Sequence, residues 1–348
     1  MNVAILCLKK DFTNKSGEGP ARYVYNLYSA LNNLNFDHKL FLINTHRIYG
    51  NGRSFTGNML SFVINTFLKD FSKFDIIHIL YFNLLFSPLK LNSKIITLVH
   101  DSREIMPIGN DNYSVIYKRI VNFAGRRALR SDYIITVSTQ SKEELVTLGF
   151  PKKNIFVASP GLDKRFLMPL KHKIKSKTFN VGYLGSFQAN KNVKFAIDAF
   201  KFIESNKIKF MAYGKKDNQY NFLKNIPSIK NKIKFMGFAP EEKLIETYDS
   251  FDAFVFPSLY EGFGFPIIEA QSRGLPVIIY KYGKISKEVR KYCFEAESPE
   301  HMAQIIENLK ENGYNEKLRK KAIKYARSFT WEKTAEETLK VYKHVLNE

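Results

Sequence analysis

The sequence predicts an α/β protein with two doubly wound domains, and three observations lead to that prediction. The chain has 348 residues, more than the roughly 250–300 residues at which a single hydrophobic core stops growing. Short runs rich in β-branched and aromatic residues alternate with longer amphipathic segments, the pattern of parallel sheets covered by helices. The alternation stops once, in a Lys-rich stretch at residues 167–178 that contains Pro169, and then restarts. We interpret this stretch as an interdomain linker.

The first domain, residues 1–166, is predicted from six strand-like runs. Ile76–Leu80 and Ile95–Val99 are almost continuously apolar, which is typical of strands buried on both faces of a parallel sheet. Ala21–Leu34 has the spacing of an amphipathic helix. The six predicted strands are Val3–Leu8, Leu40–Ile43, Ile76–Leu80, Ile95–Val99, Tyr133–Val137 and Ile155–Ala158.

The second domain, residues 179–330, repeats the same alternation. With it the chain is predicted to hold two Rossmann-like domains that face a central cleft, since open α/β sheets bind ligands at the carboxyl ends of their strands. The C-terminal segment, residues 331–348, is predicted as one amphipathic helix. The predicted strands of the second domain are Phe179–Leu184, Ile208–Tyr213, Ile233–Met236, Ala253–Phe256 and Val277–Tyr280.

The net charge of the chain limits the classes of binding partner that we expect. The chain carries 54 Lys and Arg against 33 Asp and Glu, a formal net charge of +21. This surplus suits a polyanion, an anionic membrane or a phosphate-rich ligand, and the alternative is a Lys-rich surface that keeps the protein soluble. No zinc-finger spacing and no aromatic RNA-binding signature accompany the charge, so we expect no nucleic-acid partner.

The sequence also bears on location. Its longest uncharged apolar stretches, residues 54–68 and 76–89, fall short of the ~20 residues that a membrane-spanning helix needs. The N-terminus leads into a predicted strand without a basic region or a cleavage site, so we expect no signal peptide. These features favour a cytoplasmic protein.

The sharpest motif follows the predicted strand Ala253–Phe256 and begins a helix. Gly262 and Gly264 allow the backbone to approach a ligand closely, and the helix N-terminus offers an anion site. Glu261 lies in the loop and Glu269 about one turn inside the helix. A carboxylate that accepts two adjacent hydroxyls is suited to a ribose or a sugar. For Glu269 the alternative is compensation of the helix dipole.

Three further candidates follow other predicted strands. Lys191 lies at a strand-to-helix turn after Gly185-Ser186 and can reach phosphate oxygens, although it is also one of many lysines. Gly17 and Gly19 form a partial glycine-rich turn after the first strand, which is weak as a nicotinamide-cofactor fingerprint. His100 ends a buried strand, where it can bond a ligand hydroxyl or serve a structural purpose.

Several absences restrict the chemistry. The sequence has no D-x-D pair, no H-E-x-x-H motif and no cysteine cluster, so we expect no protein-built metal site. It also lacks the P-loop motif and the G-x-S-x-G motif, which lowers the case for a P-loop nucleotidase or an α/β-hydrolase.

Taken together, these landmarks resemble the GT-B-fold retaining glycosyltransferases of family 4. The resemblance covers nearly the whole chain in order, and its most specific part is the pair Glu261 and Glu269 with seven residues between them. The matching segments are GEGPARYVYNL, TLVHD, SDYIITVSTQSKEEL, ASPGLDKRF, VGYLGSFQANKNV, KIKFMGFAPEEKLIETYDSFDAFVFPS, SLYEGFGFPIIEAQSRGLPVI and FTWEKTAEETLKVY.

The resemblance implies a hexosyltransferase that moves a sugar from a UDP- or GDP-sugar to a hydroxyl acceptor, a glycan or a lipid-linked one, with retention of configuration and without a metal. The alternatives are a GT-B sugar-nucleotide epimerase or phosphorylase, and a non-catalytic nucleotide-sugar-binding protein. The C-terminal helix after Trp331 is expected to cross back onto the first domain, which would bind the acceptor while the second binds the donor.

The resemblance also implies site roles in the second domain. Glu269 would bind the nucleotide ribose, Glu261 would hold hydroxyls of the transferred sugar, and Lys191 would neutralise the diphosphate. We therefore expect Glu269 to govern nucleotide affinity, and Glu261 to govern turnover with little effect on nucleotide binding. The backbone amides expected to contact the diphosphate or the sugar belong to Phe263, Gly264 and Phe265.

Other implied roles are distributed over both domains. His100 would face the donor sugar, Gly17 and Gly19 would lie beside the diphosphate, and the loop at Gly237-Phe238 would lie near the base. Many relatives carry an Arg where this chain has Ser186, so one charged contact to phosphate is missing or shifted.

A basic helix face suggests a membrane contact. A predicted helix at residues 116–130 carries basic residues and no acid, with Phe123 among them. Such a face can dock on anionic lipid, which would suit a lipid-linked acceptor and a peripheral location on the inner face of the membrane; the alternative is a solvated helix face. The basic residues are Lys118, Arg119, Arg126, Arg127 and Arg130.

Overall fold

Two compact units make up the computed structural model. It describes residues 1–8, 12, 19–34, 36–43, 70–80, 93–102, 131–170, 177–214 and 231–348. The first unit comprises Met1–Gly161 together with Thr330–Glu348, and the second comprises Leu162–Phe329. Among the described residues, no helix is both long and apolar enough to span a bilayer. The linker predicted at 167–178 stays a prediction.

A parallel six-stranded sheet forms the centre of the first unit. Its strand order is β2-β1-β3-β4-β5-β6, and every neighbouring pair is parallel. The order reverses between β1 and β3. The strands are β1 (Val3–Leu8), β2 (His38–Ile43), β3 (Ile76–Ile79), β4 (Lys94–Val99), β5 (Tyr133–Thr136) and β6 (Ile155–Val157).

The second unit contains another parallel six-stranded sheet, in the order β12-β11-β10-β7-β8-β9. Here the order reverses between β7 and β10, the topological switch point at which open α/β sheets bind ligands. The strands are β7 (Phe179–Leu184), β8 (Ile208–Tyr213), β9 (Ile233–Gly237), β10 (Ala253–Phe256), β11 (Val277–Tyr280) and β12 (Phe294–Ala296).

Helices follow most of the described strands. In chain order they are α1 (Gly19–Leu31), α2 (Thr139–Thr147), α3 (Val193–Ala199), α4 (Leu244–Asp249), α5 (Phe265–Ser272), α6 (Lys287–Arg290), α7 (Pro299–Asn312), α8 (Glu316–Ala326) and α9 (Trp331–Asn347).

The C-terminal helix α9 packs on α1 within the first unit. Its apolar face buries Trp331, Val341 and Tyr342, and the Thr330 hydroxyl caps it by accepting from the Lys333 amide at 3.2 Å. This cap satisfies one of the amides that a helix start leaves without an intrahelical partner.

The predicted α/β class is confirmed, because both units hold parallel sheets with helices between the strands. Each of the eleven predicted strands is present, with ends that differ by up to two residues. The sequence analysis missed β12, which has only three residues and has the exposed Glu295 at its centre.

Candidate active site

Two loops meet at the switch point of the second sheet. One follows β7 and contains Lys191, and the other follows β10 and contains Glu261. The Leu259 amide donates to the Asn190 carbonyl at 2.8 Å, and the Asn192 side-chain amide donates to the Pro257 carbonyl at 3.2 Å. These bonds hold the two loops together at the carboxyl edge of the sheet.

Lys191 and Glu261 form an ion pair across these loops. The Lys191 Nζ donates to Glu261 Oε1 at 2.7 Å and to Oε2 at 2.9 Å, and the two side chains are 22% and 12% exposed. Tyr183 lies near this pair, and the pKa of its phenol is raised well above the ordinary value by burial and by the charge of Glu261. The switch point therefore holds a lysine cation bonded to a carboxylate.

The backbone fixes Glu261 from its other side. The Glu261 amide donates to the Lys284 carbonyl at 2.9 Å, and the Lys284 amide donates to the Leu259 carbonyl at 2.8 Å. The loop after β10 is thus bonded to the loops on both sides. The backbone of Glu261 is thereby held in place.

Helix α5 begins directly after this loop. Gly264 precedes its first residue with φ of +105°, a left-handed conformation that side chains other than glycine adopt at a cost. Pro266 follows at the start of the helix, where its missing amide is not needed. The Phe263 side chain is 4% exposed and packs on Phe329, with ring centroids 5.7 Å apart. The role predicted for the backbone amides of Phe263, Gly264 and Phe265 stays a prediction.

Glu269 lies in the second turn of α5, beyond the first turn in which compensation of the helix dipole acts. It is 3% exposed, and its Oε2 accepts from the Tyr248 hydroxyl at 2.7 Å. A carboxylate this buried requires hydrogen-bonding partners. Sequence analysis missed Tyr248, although its spacing of four residues from buried Leu244 indicates an inward position.

The carboxyl end of β9 carries the two residues predicted to lie near a base. Gly237 has φ of +77°, and its carbonyl accepts from the Gly214 amide after β8 at 2.8 Å. Phe238 is 73% exposed, which leaves an aromatic face available for stacking. Ser186, after β7, accepts a hydrogen bond from the Tyr183 hydroxyl through its backbone carbonyl at 2.6 Å.

The first unit contains the remaining described candidates. His100 follows β4 and is half-buried; its ring meets the Tyr23 ring edge-on, with centroids 5.2 Å apart. Burial lowers its pKa to about 4, so the imidazole is neutral at pH 7. Gly19 is the first residue of α1, and Gly17 lies outside the described residues.

Two predicted features remain untested. The basic face with Lys118, Arg119, Arg126, Arg127 and Arg130 also lies outside the described residues. Within the part of the chain that the structure describes, no group of three or more His, Cys, Asp or Glu side chains could hold a metal ion.

Comparison with known proteins identifies the family from both units. A family model for Glycosyltransferase Family 4 matches residues 17–166, and a model for Glycosyl transferases group 1 matches residues 165–329. The two matches follow the division of the chain into units, and together they span most of its length.

Individual relatives are distant. O-antigen chain mannosyltransferase B from Escherichia coli is 24% identical over 229 residues, which is 60% of either chain. Capsular polysaccharide biosynthesis glycosyltransferase CapM from Staphylococcus aureus is 31% identical over 155 residues, or 42% of this chain and 39% of that protein. The chain thus matches three fifths or less of these relatives' lengths.

Solved structures cover the whole chain. The sucrose-phosphate synthase of Thermosynechococcus elongatus aligns over 100% of this chain and 99% of its own, with a TM-score of 0.77 and 17% identity. HepE from Anabaena, solved with UDP and glucose, aligns over 99% of each chain with a TM-score of 0.67 and 16% identity. At such identities the likeness shows the fold. With both family models matched and this fold shared, the chain belongs to the GT-B-fold glycosyltransferases of family 4, the group 1 glycosyl transferases.

Proposed function

We propose that this glycosyltransferase transfers a hexose-type sugar from a nucleotide diphosphate sugar, with UDP or GDP as the nucleotide, to a hydroxyl of a glycan or lipid-linked acceptor, with retention of configuration. The observation that carries the proposal is the ion pair of Lys191 and Glu261 at the switch point of the second sheet, beside the helix that bears Glu269. A cation and two carboxylates in this order suit the phosphate, the sugar and the ribose of one donor.

The reaction leaves charge on the diphosphate, and the groups of the second unit oppose it. The bond from the anomeric carbon to the phosphate oxygen breaks, and its electron pair stays on the diphosphate. The acceptor oxygen bonds to the same carbon, and its proton passes to the departing diphosphate. Lys191 and the amides at the start of α5 stabilise the developing negative charge.

Lys191 must change its partner for this to happen. In the structure it donates to Glu261, and with a donor bound it turns toward the diphosphate. Glu261 is then released to accept hydrogen bonds from sugar hydroxyls. We assign it to holding the sugar, since its contacts suit binding and no observation assigns it as a nucleophile.

His100 and Phe238 complete the proposed donor contacts. A neutral His100 imidazole can both donate to and accept from the sugar hydroxyls without adding charge. The exposed ring of Phe238 stacks on the base. Gly237 and Gly19 contact the donor through their backbone atoms. Ser186 has no charge, so neutralisation of the diphosphate depends more strongly on Lys191.

Relatives support a glycan acceptor. The matched proteins include an O-antigen chain mannosyltransferase and a capsular polysaccharide glycosyltransferase, both named for surface polysaccharides. A lipid-linked acceptor at the inner face of the membrane is part of the same proposal, and the predicted basic face at residues 116–130 would serve it.

The test is a panel of UDP- and GDP-sugars, with release of nucleoside diphosphate followed with and without lipid-linked glycan acceptors. Acceptor-dependent release supports the proposal, and the anomeric configuration of the product by NMR tests retention. Conversion of the donor without acceptor would indicate an epimerase. Donor binding without turnover on any acceptor would indicate a binding protein.

A further inference from the structure

The end of helix α4 contacts helix α5 at two neighbouring positions. Tyr248 donates to Glu269 Oε2 at 2.7 Å, and Asp249 accepts from Arg273 at 2.7 and 2.9 Å. Glu269 and Arg273 are four residues apart, so they lie on the same side of the helix. Two consecutive residues of α4 thus bind the second turn of α5 and the residue that directly follows its last residue.

Tyr248 has little freedom to move. It is fully buried, and aromatic rings surround it: the centroids of Phe166 and Phe254 both lie 5.4 Å from its own. Its hydroxyl therefore occupies a fixed point in the unit. A hydrogen bond from a fixed donor restricts the rotamers of the long Glu269 side chain.

The second contact holds the helix itself. The Arg273 side chain is 1% exposed and Asp249 is 13% exposed. Arg273 also donates to the carbonyls of Met168 at 2.7 Å and Pro169 at 3.2 Å. The C-terminal end of α5 is thereby tied to α4 and to the first segment of the unit, so the helix backbone under Glu269 is fixed as well.

We infer that Tyr248 is a positioning residue for Glu269: its hydroxyl sets the orientation in which the carboxylate accepts the ribose hydroxyls of the nucleotide. The inference rests on the proposed function, in which Glu269 binds the ribose. Asp249 and Arg273 hold α5 in place, and Tyr248 aims the carboxylate. Without the hydroxyl, the Glu269 side chain stays on α5 but loses the fixed donor that aims its carboxylate, which weakens recognition of the ribose.

The experiment compares a nucleoside diphosphate with its 2′-deoxy form by calorimetry. UDP, GDP and ADP are titrated first, and the tightest binder and its 2′-deoxy form are the probes. The dissociation constant of the 2′-deoxy form divided by that of the nucleoside diphosphate measures how well the enzyme recognises the ribose hydroxyl. Because both ligands are titrated into one preparation, loss of folded protein does not change this ratio.

Tyr248→Phe removes the hydroxyl and keeps the ring. We expect it to lower the ratio about 3- to 10-fold, which is the effect of one hydrogen bond. We also expect it to raise the KM for the donor while kcat stays within about twofold, the pattern that loss of uniform binding produces. The matched control is Tyr342→Phe in the first unit, which removes another fully buried hydroxyl, 2.6 Å from His78 Nδ1. Its ratio should equal that of the wild type.

Glu269→Gln distinguishes the ribose contact of Glu269 from the positioning role of Tyr248. If no nucleoside diphosphate binds, the proposed function fails and the inference with it. If one binds but Glu269→Gln leaves the ratio unchanged, the proposed ribose contact of Glu269 fails and the inference with it. If Glu269→Gln lowers the ratio and Tyr248→Phe does not, the proposed ribose contact stands and Tyr248 is only structural. A fall in both variants, with none in Tyr342→Phe, supports Tyr248 as the positioning residue.

Discussion

The two sheets share parallel architecture but carry different chemistry at the ends of their strands. At the described edge of the second sheet, Lys191 and Glu261 are charged, paired and within reach of solvent. In the first unit the candidate at a strand end is the half-buried His100, whose pKa burial lowers to about 4. Burial also lowers the pKa of His78, which lies within β3, to about 3. The second unit therefore offers charge to a ligand at this edge, whereas His78 and His100 of the first unit are neutral at pH 7.

The difference in charge between the two units follows from the partners of their titratable side chains, since both sheets have the same kind of strand order. In the second unit two buried charges have a polar partner beside them: Arg273 has the Asp249 carboxylate, and Glu269 has the Tyr248 hydroxyl. In the first unit His78 meets only the neutral Tyr342 hydroxyl among the described residues. Removal of a charge should thus damage the second unit, and addition of a proton should damage the first.

The largest expected effect is on the second unit. Asp249→Ala leaves the Arg273 guanidinium buried without its carboxylate, and loss of one partner of a buried pair costs about 3–5 kcal/mol of unfolding free energy. Urea unfolding followed by circular dichroism measures the loss. Trp331, the single tryptophan of the chain, lies in the first unit, so its fluorescence transition should stay in place.

A matched control is Glu297→Ala, which breaks the ion pair with Lys281. The Glu297 side chain is 49% exposed and the Lys281 side chain is 42% exposed. An exposed pair contributes little to stability because water screens its charges. Equal destabilisation by Asp249→Ala and Glu297→Ala would show that burial does not distinguish these two pairs.

The next effect concerns the ligand. Lys191→Ala removes the proposed cation for the diphosphate, and we expect nucleoside diphosphate affinity to fall about 10- to 150-fold, equivalent to ~1.5–3 kcal/mol for a charge-assisted hydrogen bond. Isothermal titration calorimetry measures this. Lys201→Ala, which breaks the surface pair with Asp198 in the same unit, should bind as the wild type does, and similar losses in both variants would remove Lys191 from the site.

The first unit should respond to acid. The pKa of His78 is lowered from an ordinary 6.5 to about 3 by burial, so the unfolded chain binds a proton that the folded chain rejects. Stability is therefore complete above pH 6.5 and falls as the pH drops toward 3. Between pH 7 and pH 5 the expected loss from His78 is about 2 kcal/mol.

His78→Gln keeps a hydrogen-bonding partner for Tyr342 but cannot titrate. Urea titrations followed by Trp331 fluorescence should therefore show a shallower pH dependence for His78→Gln than for the wild type. The control is His344→Gln on α9, where the side chain is 45% exposed. Identical pH slopes for the wild type and His78→Gln would exclude His78 as the cause.

The smallest effect tests the ion pair. Glu261→Gln releases Lys191, so we expect nucleoside diphosphate to bind about 2- to 10-fold more tightly, in line with the modest energy of a partly exposed pair, while turnover falls. The sequence alone leads to a different expectation, namely little change in nucleotide binding. Glu295→Gln, which disrupts the more exposed pair with Arg290, is the control. Unchanged affinity in Glu261→Gln would show that the pair does not compete with the diphosphate.

Local patterns predicted most of the described fold. The strands were recognisable because buried parallel strands are nearly continuous runs of apolar residues, as in Ile76–Ile79 and Ala253–Phe256. The three-residue strand Phe294–Ala296 was missed because it is too short for such a run and contains Glu295. Its pairing with β11 supplies the stability that the short segment lacks by itself.

Contacts between distant residues explain what the sequence missed in the candidate site. Lys191 and Glu261 are separated by 70 positions, and only the adjacency of β7 and β10 brings them together. Tyr248 is 21 positions from Glu269 and lies in a short helix whose pattern indicates burial but no partner. Residue type and spacing therefore identified the candidate side chains, but they did not predict how those side chains pair.

The second unit begins and ends at one place. The Leu162 amide donates to the Phe329 carbonyl at 2.9 Å, so the first and last residues of this unit are hydrogen-bonded to each other. A segment whose ends meet can be inserted into a chain, or exchanged for another, without stretching its host. Chimeras that exchange the second unit with that of a relative are therefore best joined at these two residues.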